Sequence, residues 1–162
     1  MSYFTSFPLV RYNGSLQVNL TRRAGVTAAM KVDPAFYYEH TIGDGDTPEN
    51  LADRFYDDVG LAWVILQFND MVNVFEEWPK PQWEFDSYVN AKYEDPYAIH
   101  HYADYDGHEI DFSSAKPWER IPVTNYEYET ELNDAKRKIK LVLPELVNTI
   151  VNRHKVLIQE GI

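Results

Sequence analysis

The chain has no cysteine, which removes disulfides, thiolate metal sites and cysteine nucleophiles together. Stability therefore has to come from burial and hydrogen bonding. Long apolar runs are also missing: the longest stretches, such as Leu61 to Leu66 and Leu141 to Leu143, fall far short of the roughly 20 residues that a membrane-spanning helix needs. The opening Met1-Ser2-Tyr3-Phe4 carries neither the charged flank nor the apolar run of a secretory signal, which predicts a protein made and used on the cytosolic side. Basic residues are scarce, 15 against 26 acidic, and the formal net charge of -11 repels polyphosphates and anionic lipid headgroups. Nucleic acid and membranes are thus not expected partners.

What is abundant is aromatic surface. Twelve Tyr, 8 Phe and 4 Trp make up 15% of 162 residues, more rings than one small core can hide. Tyr and Trp are enriched where an apolar body meets a wet edge, as at protein interfaces. Apolar residues reach 44% while the mean hydropathy is -0.47, so the apolar groups are dispersed. The length suits one core of ordinary size, or a small module with ordered arms.

Residues 1–35 read as an extended N-terminal arm. Apolar pairs Tyr3-Phe4 and Leu9-Val10 are separated by Phe7-Pro8, the turn signal Asn13-Gly14 follows, and Arg11, Arg22, Arg23 and Lys31 carry a positive charge that contrasts with the acidic remainder. From Phe36 the pattern changes. Phe36 to Ile42 has strand composition, and Gly43-Asp44-Gly45-Asp46 ends it as a turn. A helix then starts, with Asp46 or Thr47 as cap, Pro48 in its first turn and Leu51, Ala52 and Phe55 at helical spacing. A second helix, Leu61 to Phe68, is apolar almost all round and so is expected to be buried. Val72 to Phe75 is predicted to return as a strand, closing a β-α-α-β unit over residues 36–78.

Residues 79–125 are predicted to be loops and short strands, with a hairpin formed by Ala98 to Tyr102 and His108 to Phe112 around Asp106-Gly107. Residues 126–162 form the last segment: a polar helix, then Ile139, Leu141 and Leu143 alternating in strand fashion, then a helix from about Pro144 to Gln159. Along that helix Leu146, Val147, Ile150, Val151, His154, Leu157 and Ile158 recur on one face and require a covering surface. The fold class is α+β.

The centre resembles a LysM module: Tyr38-x-His40-x-Ile42, Gly45-Asp46-Thr47, Leu51-Ala52, Phe55-Tyr56, and Ile65 with Asn69. Pro48 stands where LysM sequences usually have Leu, and Trp63 adds a ring to the second helix; both alter the surface that glycan-binding modules use. A wider resemblance rests on Tyr3-Phe4-x-x-Phe7-Pro8-x-x-x-Tyr12, Asn19 to Arg23, Trp63, Asn69-Asp70, Trp78-Pro79, Phe85-x-x-Tyr88-Val89-x-x-Lys92-Tyr93, His101-Tyr102-x-x-Tyr105-x-Gly107, and Leu132-Asn133-Asp134-x-Lys136-Arg137-x-Ile139. In that order these motifs resemble the baseplate wedge protein 53 family of contractile-tail phages. The resemblance implies a non-enzymatic structural subunit in the virion tail that promotes association of wedges around the hub. It also implies protein partners: other wedge subunits, neighbouring wedges and the sheath-initiator-type protein. Glycan binding, to peptidoglycan, is the alternative.

Interface residues expected on this basis are Tyr3, Phe4, Phe7, Pro8, Tyr12, Arg22 and Arg23 in the arm, and Leu146, Ile150 and Leu157 in the last helix. Tyr38, Ile42, Gly45, Asp46, Thr47, Leu51, Ala52, Trp63 and Asn69 are expected to be structural. No catalytic residue, cofactor or metal is predicted. His100 and His101 adjoin, but neighbouring residues on a strand point to opposite faces, so they are not expected to share one ion.

Overall fold

The computed structural model describes residues 3–22, 28–112, 116, 118 and 120–160. In chain order, a 3-10 turn at Tyr3–Ser6 precedes β1 (Leu9–Tyr12), β2 (Ser15–Val18), α1 (Ala28–Val32), β3 (Tyr37–Thr41), α2 (Pro48–Tyr56), α3 (Ala62–Phe68) and α4 (Val74–Glu77). Then come α5 (Gln82–Lys92), β4 (Ile99–Ala103), β5 (Glu109–Ile110), β6 (Ile121–Thr124), α6 (Asn125–Ala135), β7 (Lys138–Val142) and α7 (Pro144–Glu160). The mixture of helices and small antiparallel sheets is α+β.

The chain divides into two compact units. Unit 1 combines residues 1–78 with 138–162, and unit 2 is the intervening stretch 79–137. Unit 1 is therefore discontinuous in sequence.

The closing strand of unit 1 corrects the sequence-based expectation. Val72 to Phe75 forms no strand; α4 occupies Val74–Glu77 instead. Strand β3 pairs antiparallel with β7, Tyr37 opposite Val142 and Thr41 opposite Lys138. The reason lies in burial: β7 brings Ile139, Leu141 and Val142, all at or below 3% exposure, whereas Val72 and Phe75 stand in solvent. A strand that delivers three fully buried side chains outcompetes one that delivers none.

Around this two-stranded sheet, Ile42, Leu51, Ala52, Val64, Ile65 and Phe68 meet Val147, Ile150 and Val151 of α7 in one core. Thr47 caps α2, its hydroxyl accepting from the Asn50 N–H at 3.2 Å, and Pro48 takes the first helical position, where no N–H is needed. Asp57 ends α2 in the left-handed region, φ 52°. Helix α7 starts at the predicted proline.

The arm is not a continuous extended segment. Asn13 (φ 47°) and Gly14 (φ 79°) reverse the chain, and β1 pairs with β2 with Leu9 opposite Val18 and Tyr12 opposite Ser15. Two successive positive φ values are what a tight hairpin turn with right-handed strand twist requires.

Unit 2 also departs from expectation. Its loop-rich opening contains the eleven-residue α5, which buries Phe85 and Val89 one turn apart. The predicted hairpin is present as β4 with β5, and β6 adds to the other edge of β4 to make the order β5-β4-β6. A capping box at Thr124 and Glu127 starts α6.

Candidate interaction surface

Several strongly exposed apolar groups of unit 1 sit on hydrogen-bonded backbone. In the β1–β2 hairpin every residue is exposed on both strands. Alternation puts Leu9, Arg11, Leu16 and Val18 on one face and Val10, Tyr12, Ser15 and Gln17 on the other. Leu9, Tyr12 and Leu16 each show more than 60% of their surface. A lone two-stranded hairpin is marginal in water; this one is tied at its base, where the Asn19 N–H donates to the Pro8 carbonyl at 2.8 Å, and at its tip, where the Ser15 hydroxyl donates to the Tyr12 carbonyl at 3.0 Å.

A second apolar projection lies at the start of α4. Val72 is 92% and Phe75 88% exposed. The loop that carries them is held from within. Glu77 turns its carboxylate back to accept from the N–H groups of Val72 and Asn73, at 2.5 and 2.6 Å, and the Met71 N–H donates to the Leu66 carbonyl at 2.9 Å. Met71 and Val74 pack on the core, which leaves Val72 and Phe75 outside. The strand expected from the sequence does not single out this exposed pair. The signal available was Glu76-Glu77 shortly after Asn73, the pattern of an acidic residue reaching back to a helix start.

The residues expected at an interface differ in their exposure in the free chain. Phe4 and Tyr12 are exposed, and Pro8 and Arg22 are half-buried. Phe7 is a correction: it is buried, with its ring 5.9 Å from that of Phe4, and the opening turn lies beside α7. Ile150 is a second correction. It points into the core of unit 1, because the apolar stripe of α7 is covered by the chain's own core. Leu146 packs partly against that core, and Leu157 is half-buried. Arg23 and the side chain of Tyr3 lie outside the described residues.

Several residues quoted for the LysM-like resemblance lie in or against the core of unit 1. Ile42, Leu51 and Ala52 are core, Tyr38 packs on Phe55 at 5.7 Å, and Gly45 turns at φ 75°. Trp63 packs against His154, ring centroids 4.6 Å apart. Asp46 links three partners: its carboxylate accepts from the Gly43 N–H and from Arg54, and its carbonyl accepts from the Trp78 indole N–H at 2.9 Å. The Arg54 hydrogen bond outweighs partial burial and holds the Asp46 carboxyl below the usual aspartate value. Trp78 is 8% exposed, and its indole leaves the Asp46 carbonyl already occupied. On the other side Lys31 donates to the Gln67 carbonyl and pairs with Asp70.

In unit 2 the buried Glu129 accepts from Lys92 at 2.7 Å and from the Tyr93 hydroxyl at 2.8 Å. Burial raises its carboxyl, but those two donors overcome the effect and leave it below the ordinary glutamate value. The histidine pair does not follow the alternation expected of a regular strand. The register of β4 against β6 slips between Ile99 and His101, a β-bulge with His100 as the extra residue, and the two imidazoles meet with Nδ1 atoms 2.9 Å apart.

A family model described as base plate wedge protein 53 matches residues 30–112, just over half of the 162-residue chain. No curated protein matches the chain.

Proposed function

We propose that this chain, which belongs to the base plate wedge protein 53 family, joins wedge subunits in the tail baseplate and promotes wedge-to-wedge association around the hub. The family assignment makes it a structural baseplate protein of the virion; the joining role is the finer reading. Its partners in that reading are other wedge subunits, neighbouring wedges and the sheath-initiator-type protein, met in the host cytoplasm.

The observation that carries the reading is the exposed apolar surface of unit 1: the hairpin with Leu9, Tyr12 and Leu16, and the loop with Val72 and Phe75, are exposed yet hydrogen-bonded into place. Rigid apolar projections lose little conformational freedom on binding, which is the main cost that an interface has to offset. Each buried square ångström contributes about 25 cal/mol before that cost. Many such contacts around a ring make assembly cooperative.

The test is incorporation into tail particles. Replacing Leu9, Tyr12 and Leu16 together by Ser is expected to leave the melting transition of the free protein nearly unchanged and to abolish incorporation. Full incorporation of that variant counts against the reading. Saturable binding of the free protein to purified peptidoglycan would favour the glycan alternative.

A further inference from the structure

We infer that strand β1 of one chain adds to strand β3 of a second copy, head to tail, with Arg11 opposite Glu39. This rests on the reading of the β1–β2 hairpin as an interface and names its occupant. The hydrogen-bond phase fixes which main-chain groups each strand leaves free. In the hairpin the Asn19 N–H donates to the Pro8 carbonyl, so Pro8, Val10 and Tyr12 face β2, and the N–H and C=O groups of Leu9 and Arg11 point away from it. In the core sheet the Leu143 N–H donates to the Phe36 carbonyl at 3.0 Å, so Tyr38 and His40 face β7, and the main-chain groups of Glu39 and Thr41 point outward.

Two of the four edges are occupied from within the chain. Along β7, Asn69 takes both main-chain groups of Lys140, and the Tyr56 hydroxyl donates to the Val142 carbonyl at 3.2 Å. Along β2, the Val18 carbonyl accepts from the Leu20 N–H at 3.1 Å. The edges of β1 and β3 are open: among the described residues, the outward groups of Leu9, Arg11, Glu39 and Thr41 have no hydrogen-bond partner, and all four residues are exposed. An open edge is a template for another strand, and a two-stranded hairpin is the sheet that gains most from a third.

Charge selects the second copy and the register. Residues 1–35 hold four basic side chains against the single acidic Asp33, while the whole chain is at -11, so the arm of one copy is attracted to the body of the next. An antiparallel register with Arg11 opposite Glu39 also sets Leu9 opposite Thr41, and the four open residues meet as two hydrogen-bonded pairs. Directly opposed side chains share a face, so guanidinium meets carboxylate; neither Arg11 nor Glu39 has an ion-pair partner among the described residues of its own chain. On the other face the exposed Tyr12 comes opposite the half-buried Tyr38, beside Phe55, whose ring lies 5.7 Å from that of Tyr38. Pairing β1 with a second β1 would instead put two Arg11 side chains on one face. Because the two edges are different surfaces the contact is heterologous, and its repetition gives a ring wherever the rotation closes.

The experiment is disulfide trapping in tail particles, in a chain that has no cysteine of its own. Hydrogen-bonded antiparallel partners have Cα atoms about 5.5 Å apart, within disulfide reach. Full chains carrying both Arg11→Cys and Glu39→Cys, oxidised in assembled particles, are expected to run as a ladder of covalent multimers beyond the dimer, joined from position 11 of one copy to position 39 of the next. A second arm needs no cysteine: Arg11→Glu is expected to lower incorporation about tenfold, and Glu39→Arg added in the same chain to restore it. If the triple serine variant of the hairpin fails to incorporate while no 11-to-39 link forms in particles, the joining role stands and this pairing is overturned. A link confined to single chains, or a charge exchange that restores nothing, overturns it as well.

Discussion

Asn69 and Lys140 are 71 residues apart in sequence and exchange two hydrogen bonds: the Lys140 N–H donates to Asn69 Oδ1, and Asn69 Nδ2 donates to the Lys140 carbonyl, both at 2.8 Å. The same amide nitrogen also donates to the Ile65 carbonyl at 2.8 Å at the end of α3. One side chain thus stands in for a third strand along the free edge of β7 and fastens the helix end to it. Asn69→Ala leaves both main-chain groups of Lys140 without these partners, and each orphaned group costs about 1 to 3 kcal/mol. The prediction is a loss of about 2 to 4 kcal/mol in the unfolding free energy of unit 1, read by denaturant titration. Asn69→Asp, which keeps the acceptor and loses the donor, falls between.

Because β7 closes the sheet of unit 1, the segment 36–78 has no strand partner of its own. It is expected to stay unfolded when produced alone, with narrow amide dispersion in its proton spectrum. Removing residues 138–162 from the full chain should likewise abolish the cooperative melting of unit 1. An independently folding 36–78 fragment would contradict this.

The Lys92–Glu129 pair makes unit 2 sensitive to acid. Glu129 is 4% exposed while the Lys92 side chain remains 43% exposed, so the contact is partly screened and Lys92→Met is expected to cost about 1 to 3 kcal/mol. The folded carboxyl titrates below its unfolded value. The stabilisation is therefore complete above about pH 4.5 and is lost as pH falls through the folded value. Thermal melts across that range should show a steeper acid decline in the wild-type chain than in Glu129→Gln.

Phe75 and Glu77 separate surface from support. Phe75→Ser removes an 88% exposed ring and should change stability by less than about 0.5 kcal/mol, yet lower incorporation into tail particles. Glu77→Gln weakens the acceptor for the Val72 and Asn73 N–H groups and is expected to speed amide exchange at those two residues while leaving the core protected. Equal incorporation of Phe75→Ser and wild type would remove this loop from the interface.

Local structure is legible in the sequence where one residue type decides the outcome. Pro48 and Pro144 mark helix starts, Asn13-Gly14 makes a hairpin turn, and the spacing of Val147, Ile150, Val151 and Ile158 shows the buried stripe of α7. The stripe alone does not say whether the chain's own core or a partner covers it, and at Ile150 the core does. Helix α5 is hidden in the sequence because Pro79 and Pro81 suggest a loop, although a proline just ahead of a helix is compatible with its start.

Composition, turn chemistry and helix periodicity depend on neighbours within a few positions, so the sequence by itself determined the α+β class, most element types and the likeness to a wedge family. Which strand pairs with β3, where Asn69 sends its hydrogen bonds, and how a single bulge turns His100 toward His101 depend on competition between segments far apart in the chain. Only the tertiary structure decided these, because the outcome is set by which distant segment buries the most apolar surface and satisfies the most main-chain groups at once.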